Sequence, residues 1–167
     1  MAVENKYINT RVVAGNKAIP ATFNSDEGRV SVATFEVAAA DDDGSIYRVL
    51  RVSADMIPVT ITATNDAITL GTDYDFGIYD ALDGPNKGTI KDADALADGV
   101  DMSSARAEGS GITLLSAPDL ADAQKPLYLL AGDTAADHPG EYDLALTANT
   151  VGTAAGTITI KATFVQG

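Results

Sequence analysis

Residues 157–165 have the sequence T-I-T-I-K-A-T-F-V, in which apolar and polar side chains alternate without a break. One face would carry the apolar side chains Ile158, Ile160, Ala162 and Phe164. The other face would carry Thr157, Thr159, Lys161 and Thr163. A period of two in a stretch rich in β-branched residues is typical of a β-strand with one apolar face. The segment therefore predicts a strand at residues 157–165.

The segment before it has the same period. Residues 142–149, Y-D-L-A-L-T-A-N, also alternate. One face would carry Tyr142, Leu144 and Leu146. Residues 150–156 between the two segments contain Gly152 and Gly156, which favour a turn. Two alternating segments joined by such a turn predict an antiparallel hairpin.

Four upstream segments are also predicted to be strands: residues 29–37, 45–52, 58–64 and 74–79. In the first of them, Val30 and Val32 are predicted to point inward, and Phe35 and Val37 are further inward candidates. In the third and fourth, the predicted faces carry Val59, Ile61 and Ala63, and Tyr74, Phe76 and Ile78. Turn signals such as the run D-D-D-G at residues 41–44 separate these segments.

Two other segments complete the prediction. Residues 92–100, D-A-D-A-L-A-D-G-V, are the best helix candidate, because acidic residues occupy the first turn and Gly99 stands near the end. Residues 127–131 are predicted to be a strand, and the insertion at residues 80–125 is expected to carry the helix and cap one end. The expected fold is all-β: an antiparallel β-sandwich of eight or nine strands, with the jelly roll as the expected topology.

Composition excludes several classes of chemistry. The 167 residues include no Cys and one His, His138, so thiolate zinc sites, disulfides and multi-histidine metal sites are excluded within one chain. The formal net charge is −13, which disfavours nucleic acid and anionic membranes as partners. The N-terminal residues lack the apolar region of a signal peptide, and we expect synthesis and retention in the cytosol unless a particle carries the protein out.

The charge is unevenly distributed along the chain. Residues 1–29 carry four basic and three acidic residues, a balance of +1, and residues 30–167 carry seven basic and 21 acidic residues, a balance of −14. We therefore divide the chain into an N-terminal arm or edge strand at 1–29 and a β-sandwich domain at 30–167. The first segment is expected either to fray or to form an edge strand around residues 7–13, or else to extend onto a partner. In the last case the contact candidates are Lys6, Tyr7, Arg11 and Lys17.

No catalytic, cofactor-binding or metal-binding residue is predicted. The acidic runs at residues 41–43 and 92–98 lack the ligand spacing of a calcium loop. A triad would need His138, but no G-x-S-x-G motif supplies a serine, and Ser110 lies in a plain G-S-G turn. Residues 84–89 contain the residue types of a phosphate loop in the wrong order, so a β-turn explains them.

Several segments together resemble a known family. They are G-T-D-Y-D-F-G-I-Y-D at residues 71–80, D-A-D-A-L-A-D-G-V-D-M-S-S-A at 92–105 and Y-D-L-A-L-T-A-N-T-V-G-T-A-A-G-T-I-T-I-K-A-T-F-V at 142–165, with D-D-D-G-S-I-Y-R-V-L-R-V at 41–52 upstream. In this combination the chain resembles virion structural proteins of tailed bacteriophages, of the capsid decoration or cement type. The likeness covers residues 41–165 and leaves the N-terminal segment unmatched.

The resemblance implies a function without catalysis. It implies a protein made in the host cytoplasm that binds the outer surface of an icosahedral head, with the major capsid protein as its partner and a dimer or trimer as its own state. It implies no cofactor and no enzymatic activity. Two alternatives stay open: another virion component associated with tail, neck or fibre, and a carbohydrate-binding module. The absence of Trp counts against the latter.

Overall fold

The structure is a computed structural model that describes residues 29–167 and, for backbone only, residues 5–7. In this described part the chain forms nine strands and one short helix. The strands are β1 (Asn5–Tyr7), β2 (Arg29–Val37), β3 (Ser45–Ser53), β4 (Met56–Asn65), β5 (Asp73–Asp80), β6 (Ile90–Val100), β7 (Ile112–Thr113), β8 (Glu141–Thr150) and β9 (Gly156–Gln166), and the helix is α1 (Leu127–Leu130). The predicted all-β class is confirmed.

Two sheets form the molecule. One has the order β1-β3-β8-β5-β6 and the other the order β2-β9-β4-β7. Every pairing is antiparallel except that of β1 with β3. From β2 onward the chain changes sheet at each strand, apart from the neighbours β5 and β6.

The inward faces of the two sheets meet in one core. Phe35 of β2 and Tyr47 of β3 stack across the sandwich with ring centroids 5.4 Å apart. The apolar faces predicted for β5, β8 and β9 are fully buried here, since Phe76, Leu144 and Ile160 each have no exposed surface. Apolar area removed from water is the main term that stabilises such a sandwich. The predicted antiparallel sandwich is therefore confirmed.

Strand β2 confirms Phe35 and Val37 as inward residues but not Val30 and Val32. In β2 the buried side chains are Ala33, Phe35 and Val37, while Val30 and Val32 are exposed. Successive side chains of a strand point to opposite faces, so the inward face can contain only one of the two sets. The prediction that Val30 and Val32 point inward was wrong, because Phe35 and Val37 fit the core.

The predicted helix at residues 92–100 is also wrong, because Ile90–Val100 is strand β6 at the edge of the five-stranded sheet. Its pairing with β5 shifts register three times, which is why the alternation in the sequence is not clean. Gly77 of β5 makes the close approach possible, since a Cβ there would lie 2.2 Å from the carbonyl oxygen of Asp92. Pairing with β5 overrides the local helix signal.

The helix lies where a strand was predicted. Leu127–Leu130 form one turn after Pro126, with Leu127 buried in the core. A proline just before a helix is tolerated because its missing N–H would have no helical partner there. The insertion at residues 80–125 consequently carries β6 and β7, and the helix follows it.

The predicted hairpin of the last two strands does not form. Strand β8 lies between β3 and β5, whereas β9 lies between β2 and β4 in the other sheet. Both strands lie inside their sheets and have apolar faces turned to the core, so each needs two neighbours of its own. Residues 151–155 cross from one sheet to the other.

The N-terminal segment is described only at Asn5–Tyr7. Strand β1 pairs in parallel with β3, with Lys6 opposite Tyr47 and Tyr7 opposite Arg48. Strand β1 forms one edge of the five-stranded sheet, and β6 forms the other. The edge strand predicted around residues 7–13 lies outside the described residues beyond Tyr7.

We expect Gly77→Ala to destabilise the protein by about 3 kcal/mol, because the added methyl group would overlap the backbone of β6. Urea unfolding followed by far-UV circular dichroism measures the change. The control is Gly109→Ala, where nothing lies within 4 Å and only the positive φ of 88° opposes the methyl group. Its cost should be about 1 kcal/mol. Equal losses in the two variants would show that the β5–β6 approach is not tight.

Candidate interaction surfaces

The loop at residues 81–89 lies over part of the outer face of the five-stranded sheet, where it contacts Arg48 and Asp143. Arg48 of β3 lies beneath this loop and is almost fully buried. Its Nη1 donates to the carbonyl oxygen of Asp80 at 3.1 Å, and its Nη2 donates to that of Gly88 at 2.6 Å. The guanidinium carbon also lies 5.0 Å from the centre of the Tyr79 ring, a cation–π contact. These contacts fasten the loop to the sheet.

The carboxylate of Asp143 in β8 is the centre of this covered face. Arg51 donates to it from Nε at 2.7 Å and from Nη2 at 3.2 Å, and Arg48 donates from Nη1 at 3.4 Å. The backbone N–H of Leu82 in the loop donates to the same carboxylate at 3.1 Å. Arg51 also pairs with the loop residue Asp83 at 2.6 Å. Charge-assisted bonds of this kind are the strong ones in a protein interior.

A bulge in β3 brings the two arginines together. Arg48 and Arg51 are three residues apart and would point to opposite faces of a regular strand. The register between β3 and β8 shifts after Arg48, so that Arg48 lies opposite Ala145 and Arg51 opposite Asp143. Because Ala145 and Asp143 are two residues apart on one face, both arginines reach the same carboxylate.

Within residues 29–167, no loop comparable to residues 81–89 lies over the outer face of the four-stranded sheet, which carries exposed side chains. Its outward-pointing side chains come from β2, β9, β4 and β7, and most of them are threonine or valine. The threonines are Thr34, Thr60, Thr62, Thr64, Thr113, Thr157, Thr159 and Thr163. Across the β2–β9 pair the hydroxyl oxygens of Thr34 and Thr159 are 2.9 Å apart. We call this surface the valine–threonine face.

Valines gather at one end of the valine–threonine face. Val30 and Val32 of β2, Val59 of β4 and Val165 of β9 are all exposed, Val30 by 67%. The strand pairing brings them together, since Val30 lies opposite Thr163 and Val165 lies opposite Ile57. Val59 points outward because the register of β4 shifts between Pro58 and Thr60.

Charge is nearly absent from the valine–threonine face. The charged outward residues of its four strands are Glu36 and Lys161, which sum to zero. Lys161 forms an ion pair with Glu108, a neighbour from the loop before β7. In a chain with a net charge of −13, a sheet face of this composition stands apart from the acidic remainder.

Two of the four sequence-based contact candidates lie in the other sheet. Lys6 and Tyr7 belong to β1 at the edge of the other sheet. Arg11 and Lys17 lie outside the described residues. Sequence reasoning missed the valine–threonine face because it turned Val30 and Val32 inward. The threonine alternation of β4 and β9 was its visible signal.

The residues considered for catalysis make structural contacts. The ring of His138 stacks on Tyr128 with centroids 5.0 Å apart, and its Nδ1 accepts the backbone N–H of Gly140 at 3.1 Å. Ser110 donates its hydroxyl to the carbonyl oxygen of Ala107 within a turn. Neither contact is that of a nucleophile with its base.

The acidic runs act as caps and pairs. Asp41 accepts the Tyr47 hydroxyl at 2.7 Å, and Asp43 accepts the backbone N–H of Val151 at 2.9 Å. A hydrogen bond with the Asp94 carboxyl group, assisted by burial, raises the pKa of Asp92. Among the described residues, no three Asp, Glu or His side chains gather closely enough to hold a metal ion. Over the same residues, no helix has the length and apolarity needed to cross a membrane.

We expect Asp143→Asn to destabilise the protein by about 3 kcal/mol or more, because it removes the buried charge that faces two guanidinium groups. The matched control is Glu108→Gln, which neutralises an exposed pair with Lys161 and should change stability by no more than about 0.5 kcal/mol. Urea unfolding measures both. If the two variants lose the same stability, the Asp143 cluster does not hold the loop.

Comparison with solved structures finds two similar chains. A chain of the structure described as the capsid of Ralstonia phage GP4 superposes with a TM-score of 0.64 over 97% of this chain and 99% of that chain, at 15% identity. A chain of the cyanophage Pam1 capsid asymmetric unit reaches a TM-score of 0.48 over 90% and 92%, also at 15% identity. No protein-family model matches the sequence. No curated protein matches it either. The chain therefore shares the fold of a chain from the GP4 capsid, from end to end of both.

Proposed function

We propose that this chain is a structural protein of a bacteriophage virion, of the decoration or cement type, which binds the outside of the head and stabilises the lattice of the major capsid protein. The supporting observation is the fold likeness to a chain of the Ralstonia phage GP4 capsid over nearly the full length of both chains. Fold alone hosts many functions, so the argument also needs surfaces suited to contact. The uncovered valine–threonine face and the edge strand β1 are two such surfaces.

The proposal gives the protein a non-enzymatic role on the virion surface after synthesis in the host cytoplasm. The contacts of His138 and Ser110 are accounted for by turns and stacking, which supports a structural role. The acidic body would face solvent, where like charge keeps particles apart.

We also assign the sandwich to the jelly-roll class. The eight strands β2–β9 are divided between two sheets in the orders β2-β9-β4-β7 and β3-β8-β5-β6, and the chain changes sheet at each step except from β5 to β6. Strand β2 lies beside β9. This order supports two nested Greek keys, the arrangement of a jelly roll.

The N-terminal arm is the proposed attachment segment. Residues 1–29 carry a balance of +1 against −14 for the rest, so they are the part of the chain that a negatively charged surface repels least. Lys6, Tyr7, Arg11 and Lys17 are the proposed contact residues. Many such contacts repeated over a shell would add through multivalency.

Co-sedimentation with heads tests the function. The purified protein is mixed with mature heads, with unexpanded proheads and with tails of the phage that encodes it. We expect saturable binding to mature heads at a fixed ratio to the major capsid protein. Binding to tails alone would contradict the decoration role and favour a tail or neck component, and binding to glycans without heads would favour a carbohydrate-binding module.

A matched pair of variants tests the arm. Arg11→Glu with Lys17→Glu changes the net charge by −4, and Lys87→Glu with Lys125→Glu makes the same change in the body. We expect the arm pair to weaken head binding at least tenfold and the body pair to leave it near the wild-type value. Deletion of residues 2–24 should abolish binding while circular dichroism shows a folded sandwich. Undiminished binding by the folded deletion variant would exclude the arm as the attachment segment.

A further inference from the structure

The valine–threonine face carries few charged side chains. Its outward residues on β2, β9, β4 and β7 include one acid, Glu36, and one base, Lys161. Valines that point to solvent occupy one end of it. Contiguous exposed apolar patches on a soluble protein mark contact sites more often than chance. The composition raises the question of which partner covers this face.

We infer that the valine–threonine face is where two copies of this chain associate, face to face about a two-fold axis. The inference does not depend on the proposed attachment to a phage head, because it concerns the protein by itself. The strands that form this face, β2, β9, β4 and β7, belong to the other sheet from β1, which contains Lys6 and Tyr7.

Charge favours a second copy as the occupant. Two chains of net charge −13 repel each other in almost every orientation. The repulsion is smallest when the surfaces that meet carry little charge. The valine–threonine face has Glu36, Lys161 and the paired Glu108, a balance of −1 against −13 for the chain. On the outer face of the other sheet, the loop at residues 81–89 lies over Arg48 and Asp143 and is hydrogen-bonded to both.

The area of the face fits a reversible dimer. Strands β2, β4 and β9 have 9, 10 and 11 residues. At about 3.3 Å per residue and about 4.8 Å between strands, they present roughly 500 Å² per copy. A pair of such faces buries roughly 1,000 Å², near the lower limit for a specific interface. We therefore expect a dissociation constant on the order of micromolar.

A two-fold axis also suits the pattern of side chains. In an isologous interface each residue meets its counterpart or a reciprocal partner. An axis parallel to the strands would bring the valine end of one copy against the valine end of the other. The threonine hydroxyls can both donate and accept hydrogen bonds, so the threonine rows can pair across the interface.

Sedimentation velocity of the full chain over a range of concentrations is the first test. We expect a monomer–dimer equilibrium that shifts toward dimer as ionic strength rises from about 0.01 M to about 1 M, because the Debye length falls from about 30 Å to about 3 Å. A monomer at every concentration and salt level would overturn the inference.

A matched pair of substitutions locates the interface. Val32→Glu adds a charge to the face, and Ile90→Glu adds the same charge at a residue of similar exposure on β6 of the other sheet. We expect Val32→Glu to weaken dimerisation at least tenfold and Ile90→Glu to change it less than twofold. Circular dichroism confirms that both variants are folded. An equal effect of the two substitutions would overturn the assignment to this face.

Cross-linking gives a readout that does not rely on loss of binding. The chain has no Cys, so a single cysteine reports one position. Thr62→Cys, near the middle of the face, should form a covalent dimer with a short bismaleimide, and Ile90→Cys should not. If Thr62→Cys stays monomeric while Val32→Glu weakens head binding instead, the capsid surface occupies the face and the inference is wrong.

Discussion

The structure on the outer face of the five-stranded sheet depends on the buried carboxylate of Asp143. This carboxylate receives hydrogen bonds from Arg48, Arg51 and the backbone of Leu82, and so joins strands β3 and β8 to the loop at residues 81–89. Burying these charges costs solvation, which the close geometry has to offset. With the loop in place, Arg48 and Asp143 are buried on the outer face of the five-stranded sheet. In the described part of the chain, the outer face of the four-stranded sheet carries exposed valines and threonines instead.

The same cluster affects the electrostatics of the surface. Arg48 and Arg51 are two of the few basic side chains after residue 29, and both are directed to a buried acid. Fewer basic side chains are therefore left to neutralise the exposed acidic side chains than the sequence total suggests. The contrast between the nearly neutral sheet face and the acidic surfaces is therefore larger. Two copies that meet through acidic surfaces repel each other at long range.

The sequence predicted strands wherever one face had to be apolar, as in β5, β8 and β9. It failed where a contact between distant residues decided the outcome: the Ala-rich run at residues 92–100 became β6 because Gly77 lets its backbone approach. The Arg48–Asp143 contact joins residues 95 apart, and no local pattern announces it. The alternating threonines of β4 and β9 indicated part of the valine–threonine face. The outward valines of β2 were wrongly assigned to the core.

The pairing of β2 with β9 carries a consequence for the order of events during synthesis. Arg29 lies opposite Phe164, so the first sandwich strand finds its partner in the last one. Contacts this distant in sequence form slowly, and a nascent chain lacks the partner of β2 until the residues of β9 have been made. Strand β9 also lies between β2 and β4, so the face that these three strands share cannot form before β9 has been synthesised.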